Sequence, residues 1–313
     1  MFDRKTAVDK QTVDPPTLPG ECSVKVVATK VLGEMLRQFT GQLTVLRSSD
    51  DPEVVHQARV AWRRFNTDLR LFKPALRDVQ TPSLTPLRLL LQGLGALRDL
   101  DVALTDTLPQ SRSSYIECSP QSSAAQARRR RTWRQLSQAL QHLADRQRRS
   151  VRRELQRADV VATLVELTEW VDGLSVASSG EESVSVPLRR WARQRLADWH
   201  ERFKQAKKVA SKGAVKRSSK SASKASIKTG RCRTNPERQH RARILAKRLR
   251  YGVEALGFLL PEQRSRRWRQ QAADLQTSLG AARDLLQAHA LAASVAADDD
   301  ILRFLQRLAD QSS

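Results

Sequence analysis

Two stretches of this chain read almost alike. The run Asp51-Pro52-Glu53-Val54-Val55-His56-Gln57-Ala58-Arg59-Val60-Ala61-Trp62-Arg63-Arg64 is matched 184 positions later by Asn235-Pro236-Glu237-Arg238-Gln239-His240-Arg241-Ala242-Arg243-Ile244-Leu245-Ala246-Lys247-Arg248. A second block follows at an offset of 185, with Leu94-Gly95-Ala96-Leu97-Arg98-Asp99-Leu100 against Leu279-Gly280-Ala281-Ala282-Arg283-Asp284-Leu285. Two ordered blocks at nearly equal separation mean two copies of one supersecondary unit, so the fold must be built from a duplicated element. The repeated positions are cationic as well as apolar. The repeat therefore bears on function too.

Each copy carries helix-start chemistry. Asp51 and Asn235 are N-cap residues followed by Pro at the first helical position and Glu at the second. The paired helices should stop near Pro74 and Pro261, after about twenty residues. Apolar residues at helical spacing predict further helices over 24–46, 84–108, 128–155, 160–171, 188–209, 262–293 and 301–309. Ser-rich stretches at 109–126 and 174–186 read as loops. Alternating patterns are scarce and aromatic residues make up 5%. The expected class is all-α, with two pseudo-symmetric helical bundles forming one domain. Residues 1–20 read as a disordered leader, 21–175 as the first repeat and 187–313 as the second. Within the second, 211–234 is a Lys/Ser-rich insertion, with Lys212, Lys216, Lys220, Lys224 and Lys228 four residues apart. Its Gly and Ser content and unopposed charge predict a flexible segment.

Lys and Arg number 56 against 33 acidic residues, a formal charge of +23 and a pI near 11.1. Self-repulsion of that size calls for a polyanionic partner. Nucleic acid, an anionic membrane surface and an inorganic polyanion all qualify. Cys22, Cys118 and Cys232 are scattered and have no CxxC spacing. They predict neither a disulfide framework nor a zinc site, and they fit a reducing cytoplasm. The first twenty residues lack the apolar core of a signal peptide, and no apolar run is long enough to span a bilayer.

On a helical wheel, Val55, Ala58, Trp62, Phe65, Leu69 and Phe72 form one stripe, and His56, Arg59, Arg63 and Arg70 a second, roughly 120° away. Copy two matches it. Ala242, Ala246, Leu249, Val253 and Leu256 form the core stripe, with His240, Arg243, Lys247, Arg250 and Tyr251 beside it. Arg64 and Arg248 point farther out. Cations one turn apart are close enough to repel, so such a row is unfavourable until anions lie along it. Arginine forks suit phosphate oxygens. A basic row on a helix is ordinarily a solvated face, but repetition at matched positions weighs against that reading. The two histidines fit either anion contact or a supporting hydrogen bond. Asp99 and Asp284 should each pair with an arginine, and Gly95 and Gly280 should allow close helix approach. Arg128–Arg131 and Arg146–Arg153 read mainly as solvated surface, and the six tryptophans as core anchors. The chain shows no Gly-rich phosphate loop, GxSxG or HExxH, so a binding module is expected rather than an enzyme.

The motifs His-x-x-Arg-x-x-x-Arg-Arg and His-x-x-Arg-x-x-x-Lys-Arg-x-Arg-Tyr, with the paired LG…RD blocks, resemble those of the CHAD family, the conserved histidine α-helical domain. The resemblance spans about 24–308. It implies two helical bundles around a basic central groove or pore, non-catalytic binding of inorganic polyphosphate, and association with polyphosphate granules, with no cofactor or metal. Carried over by motif, the binding residues are His56, Arg59, Arg63 and Arg64, with His240, Arg243, Lys247, Arg248, Arg250 and Tyr251. Arg70 joins them from its place on the basic stripe. Many relatives follow a triphosphate-tunnel domain, for which this sequence has no counterpart. The other readings are a general nucleic-acid-binding protein, supported by the Lys/Ser insertion, and a scaffold on a granule or membrane surface.

Overall fold

The computed structural model describes residues 23–117, 122–176, 187–212, 236–278 and 280–312. Among them every regular element is helical: α1 (Val24–Leu46), α2 (Pro52–Phe72), α3 (Arg88–Val102), α4 (Leu108–Glu117), α5 (Ser123–Glu154), α6 (Ala158–Val176), α7 (Leu188–Lys212), α8 (Pro236–Leu256), α9 (Glu262–Ser278), α10 (Ala281–Ser294) and α11 (Asp299–Gln311). The leader, Asn235 and most of the Lys/Ser insertion lie outside the described residues.

The start of α2 follows its sequence signals closely. The Asp51 carboxylate accepts a hydrogen bond from the Glu53 amide at 2.8 Å, and Pro52 occupies the first turn, where its missing N–H costs nothing. The chain turns out of α2 through a 3₁₀ turn at Lys73–Ala75 and out of α8 through another at Gly257–Leu259. Helix α2 ends beside Pro74 as expected, whereas α8 ends at Leu256, five residues short of Pro261, because the 3₁₀ turn takes over first.

Two further expectations are corrected. Of the stretch 109–126, residues 109–117 and 123–126 are helical: α3 runs through a π-helical turn at Ala103–Thr107 straight into α4, and α5 begins at Ser123. That wider turn accommodates Pro109, whose ring and absent amide would disrupt a regular α-turn. The single helix expected over 262–293 is instead two, α9 and α10, the second starting anew from a turn at Gly280.

Helices α1 and α2 pack as a hairpin, as do α7 and α8, and α2 packs directly on α8. Helix α3 lies between α2 and α5, α6 folds back on α1, and α10 rests on α3, α5 and α11. The core is one cluster that runs from Val27 in α1 to Leu305 in α11. Aromatic rings tie it together. Trp62 packs on Phe39 and Phe65, with centroids 4.9 and 5.5 Å away, and Trp191 stacks on Phe72. Each such contact adds roughly 0.5–1.5 kcal/mol beyond its buried area. Trp133, Trp199 and Trp268 are buried, and the other three tryptophans pack against the core.

Two arginines fix the ends of α2. Arg152 of α5 donates to the Leu46 and Ser49 carbonyls at 3.0 and 2.8 Å and to Asp50, holding the loop that enters α2. Arg195 of α7 donates to the Leu71 and Arg70 carbonyls at 3.1 and 2.9 Å, satisfying two of the carbonyls that a helix C-terminus leaves open. Helix α2 is thereby clamped at both ends, and the cations along it stand on a rigid support.

Candidate polyanion-binding site

The α2–α8 contact brings the two copies of the repeated block together. Arg59 and Arg63 stand one turn apart on α2, and Arg243 and Lys247 one turn apart on α8. Arg63 and Arg59 both act electrostatically on Lys247, and Arg63 acts on Arg243. The second repeated block joins them. Arg98 and Asp99 of α3 act on Arg59, while Arg283 and Asp284 of α10 act on Arg243 and Lys247. Six cations and two carboxylates from four helices make one cluster.

The cluster is partly withdrawn from water. Burial, followed by the Arg63 charge, lowers the Arg59 pKa from its ordinary value. Burial and then Arg283 do the same to Arg243. Burial is also the first cause for Lys247, followed by the charges of Arg63, Arg243, Arg283 and Arg59, which together bring its pKa down to about 7. Burial raises the Asp284 carboxyl, and the neighbouring arginines only partly offset that effect. Such an assembly is electrostatically short of negative charge. The Nε and Nη1 atoms of Arg243 and the Nε of Arg63 are buried with no hydrogen-bond partner among the described residues. A buried donor left unmade costs about 1–3 kcal/mol, so these nitrogens fit a site that an oxyanion completes.

Gly95 has a more particular role than general helix contact. A Cβ built at this position would stand 2.9 Å from Nη1 of Arg59, so the missing side chain makes room for that guanidinium. Gly280 has no such neighbour. A Cβ there meets the backbone carbonyls of Gln276 and Thr277 at 3.2 and 3.3 Å, at the turn that opens α10.

The structure divides the site residues expected from sequence. Arg59, Arg63, Arg243 and Lys247 form the cluster. Arg64, Arg250 and Tyr251 belong to a separate cleft of about 1490 Å³ between α1, α2, α8 and α9. There Arg64 and Arg250 share the Glu254 carboxylate at 3.2 and 2.9 Å, and both guanidiniums approach the Tyr251 ring, with their centres 5.7 and 5.9 Å from its centroid. The carboxyl of Asp68 is buried beside them, and burial raises its pKa well above the usual range. Arg248 and Arg70 form a third group with Arg202 of α7. His56 is half-buried, whereas His240 is exposed.

Two arginines of the long helix α5 depart from the surface role expected of them. Arg148 is buried and faces Asp101, Asp145 and Asp50 at 3.4, 3.6 and 3.7 Å, and Arg152 is the loop clamp described above. Both bind the fold together. Sequence reasoning also passed over Arg98 and Arg283 as site residues, although each directly precedes the aspartate of a repeated block.

The all-α fold has known counterparts. The CHAD domain family model matches residues 30–293, and the chain belongs to that family. The crystal structure of the CHAD domain from the plant Ricinus communis superposes with a TM-score of 0.67 at 22% identity, covering 94% of this chain and 88% of that one. PptA from Streptomyces chartreusis superposes with a TM-score of 0.50 at 15% identity, covering 93% and 94%. These likenesses show the fold. No curated protein matches the sequence. Among the described residues no helix is long and apolar enough to cross a membrane, and no group of three or more metal-ligating side chains gathers.

Proposed function

We propose that the α2–α3–α8–α10 cluster binds inorganic polyphosphate without catalysis and thereby targets the protein to polyphosphate granules. The observation that carries this reading is the convergence of Arg59, Arg63, Arg98, Arg243, Lys247 and Arg283, with buried guanidinium nitrogens of Arg63 and Arg243 left without partners. Membership of a family associated with polyphosphate supports it. A flexible chain carrying closely spaced charges can follow converging cations from several helices, whereas duplex DNA holds its phosphates on a rigid cylinder. Preformed cations also avoid an ordering cost when the ligand arrives. The two carboxylates in the cluster, Asp99 and Asp284, offset only part of its positive charge, acting on Arg59 and Arg243.

The reading is tested by titrating long-chain polyphosphate and duplex DNA against the protein at matched physiological salt. Polyphosphate should bind more tightly per unit charge, with a steep salt dependence from displaced counterions. DNA that ties or wins would instead favour the nucleic-acid reading, whose support is the high pI and the Lys/Ser insertion. Focal localisation in cells should vanish when polyphosphate is depleted. Foci that persist would point to a granule or surface scaffold with another target. Incubation with polyphosphate and Mg²⁺ should release no orthophosphate.

A further inference from the structure

The cleft between α1, α2, α8 and α9 stands apart from the cation cluster, and it is built in a way that packing alone does not explain. It encloses about 1490 Å³. Asp68 lines it with only 3% of its surface exposed, and its Oδ1 has no hydrogen-bond partner among the described residues. Arg64, one turn earlier on α2, lines it too, and its buried Nε is likewise unpartnered. An acceptor and a donor left unmade on adjacent turns cost stability until something joins them. We propose that this cleft is a nucleoside-phosphate site, in which a nucleobase reaches Asp68 and Arg64 and the phosphates lie on the arginines at the mouth.

The lining residues divide as such a ligand requires. Buried Met35, Val253 and Leu260 supply apolar walls, and Phe258 stands 39% exposed on the same cleft, with ring surface open for stacking. The edge of a base carries a donor beside an acceptor, the complement of Oδ1 and Nε–H. Burial, foremost, raises the pKa of the Asp68 carboxyl, which favours a form that can donate as well as accept. An amine next to a ring nitrogen, as in adenine, meets both needs. The guanidiniums are held in place before any ligand arrives. Glu254 accepts from Arg250 at 2.9 Å and pairs with Arg64 at 3.2 Å, and both cations lie against the Tyr251 ring. Such preformed groups lower the ordering cost of binding.

The mouth has the opposite character. Lys30, Arg37, Arg266, Arg267 and Arg269 are exposed there. Glu34 pairs with Arg37, and Glu262 with Arg266 at 2.8 Å, so five cations face two carboxylates and the mouth stays positive. A positive mouth over an apolar wall suits an organic anion. A fatty acyl anion would match those two parts but would leave Oδ1 of Asp68 and Nε of Arg64 unmade. A nucleotide matches all three.

The test titrates ATP by calorimetry into the full chain carrying Arg59, Arg63, Arg243 and Lys247 changed to Ala, which disables the cluster and spares the cleft. ATP should bind one-to-one. Tripolyphosphate, which has the charges without the base, should bind at least about tenfold more weakly, the loss expected of one stacked base. Phe258→Ala and Arg267→Gln, both at exposed positions, should each weaken ATP several-fold. Asp68→Leu should weaken it at least about tenfold and yet raise Tm by about 2–4 °C, because it removes a buried group with an unmade bond. A carboxyl that merely holds the fold gives the reverse, a lower Tm with ATP binding retained, and that result overturns the site. Ala273→Trp fills the cleft from α9 and should abolish ATP binding, which decides the matter even if Asp68→Leu does not fold. ATP binding undiminished by Ala273→Trp overturns the proposal. So does tripolyphosphate that binds as tightly as ATP, which reduces the cleft to a patch of charge. Decanoate that outcompetes ATP makes it an acyl site instead, and ATP that binds only with the four cluster residues intact belongs to the cluster.

Discussion

In the first copy of the repeated block, Arg59 and Arg63 face the cluster from α2, and the Leu94–Leu100 stretch lies inside the unbroken helix α3. In the second copy, Arg243 and Lys247 face it from α8, and the described part of the matching stretch, 280–285, begins at the turn that opens α10. The glycines of the two blocks consequently do different work. Gly95 lies under the Arg59 guanidinium, while Gly280 opens α10 as its N-cap, and its carbonyl accepts from the Asp284 amide at 3.0 Å. The cations differ as well: a guanidinium at Arg63 stands where copy two has an amine at Lys247. The contrast shows that what the two copies share is delivery of charge to one place. The local backbone that delivers it is free to vary. It also makes copy two the side of the cluster whose charge answers to pH.

The broadest challenge to this comparison removes both rows together. Arg59, Arg63, Arg243 and Lys247 changed to Ala should cost at least about 100-fold in polyphosphate affinity, since each hydrogen bond from a charged group contributes about 1.5–3 kcal/mol. A control that removes four exposed arginines, Arg134, Arg189, Arg190 and Arg193, should cost far less. Equal losses by calorimetric titration would mean that net charge, not arrangement, drives binding.

The asymmetry between the copies is sharpened by pH. With a pKa of about 7 in the free protein, Lys247 is largely neutral above that pH, and a bound polyanion raises the pKa back toward its ordinary value. Binding then takes up a proton, so affinity should fall as pH rises through 7 and continue falling until the pKa of the bound state is passed. Between pH 6.5 and 9 the expected loss is about tenfold beyond that of Lys247→Arg, which should give a much flatter profile. A wild-type profile that already matches Lys247→Arg would remove the distinction between the copies. The sign for folding is opposite. The unfolded chain holds the Lys247 proton over the same window, so this group adds stability as pH rises from about 7 toward 10.

The glycines provide a smaller test. Gly95→Ala pushes against the end of a flexible arginine, which can move cheaply, and alanine is the better helix former by roughly 0.5–1 kcal/mol. Thermal stability should therefore hold or rise while affinity drops several-fold. Gly280→Ala presses on backbone carbonyls and should cost about 1 kcal/mol of stability with little change in affinity. If the two variants behave alike, the glycines have one role after all. The smallest effect is expected from Arg64→Ala. Its guanidinium is engaged with Glu254 in the separate cleft, so polyphosphate affinity should change by less than twofold once circular dichroism confirms the fold.

Much of this was legible in the residues. The Asp51-Pro52 start, the stop near Pro74, and the buried stripe of Ala242, Ala246, Leu249, Val253 and Leu256 are local consequences of capping chemistry and of a 3.6-residue period. The π turn before Pro109 was hidden because Ser-rich composition there imitates a loop, although Leu108, Tyr115 and Ile116 anchor α4 in the core. Arg148 was misplaced for a related reason. It sits in an arginine-rich run on a strongly charged helix, and only its partner Asp101, 47 positions away, reveals that it is buried. The site was half readable. A helical wheel places Arg59 with Arg63 and Arg243 with Lys247, because residues four apart share a face. It cannot foresee that Glu254, which stands where copy one has Arg70, would draw Arg64 and Arg250 into another cleft.

From the residues alone it follows that the chain is helical, that it carries one sequence motif twice, and that it bears a large excess of positive charge. Each of these follows from periodicity, repetition and composition, which need no knowledge of distant contacts. The tertiary structure alone decided which cations meet. Helices α2 and α8 pack side by side, while α3 and α10 bring Arg98 and Arg283 to the same place, and burial there withdraws the water that would otherwise screen charge from charge. Electrostatic coupling depends on separation in space and on solvent, and neither quantity is a property of position along the chain.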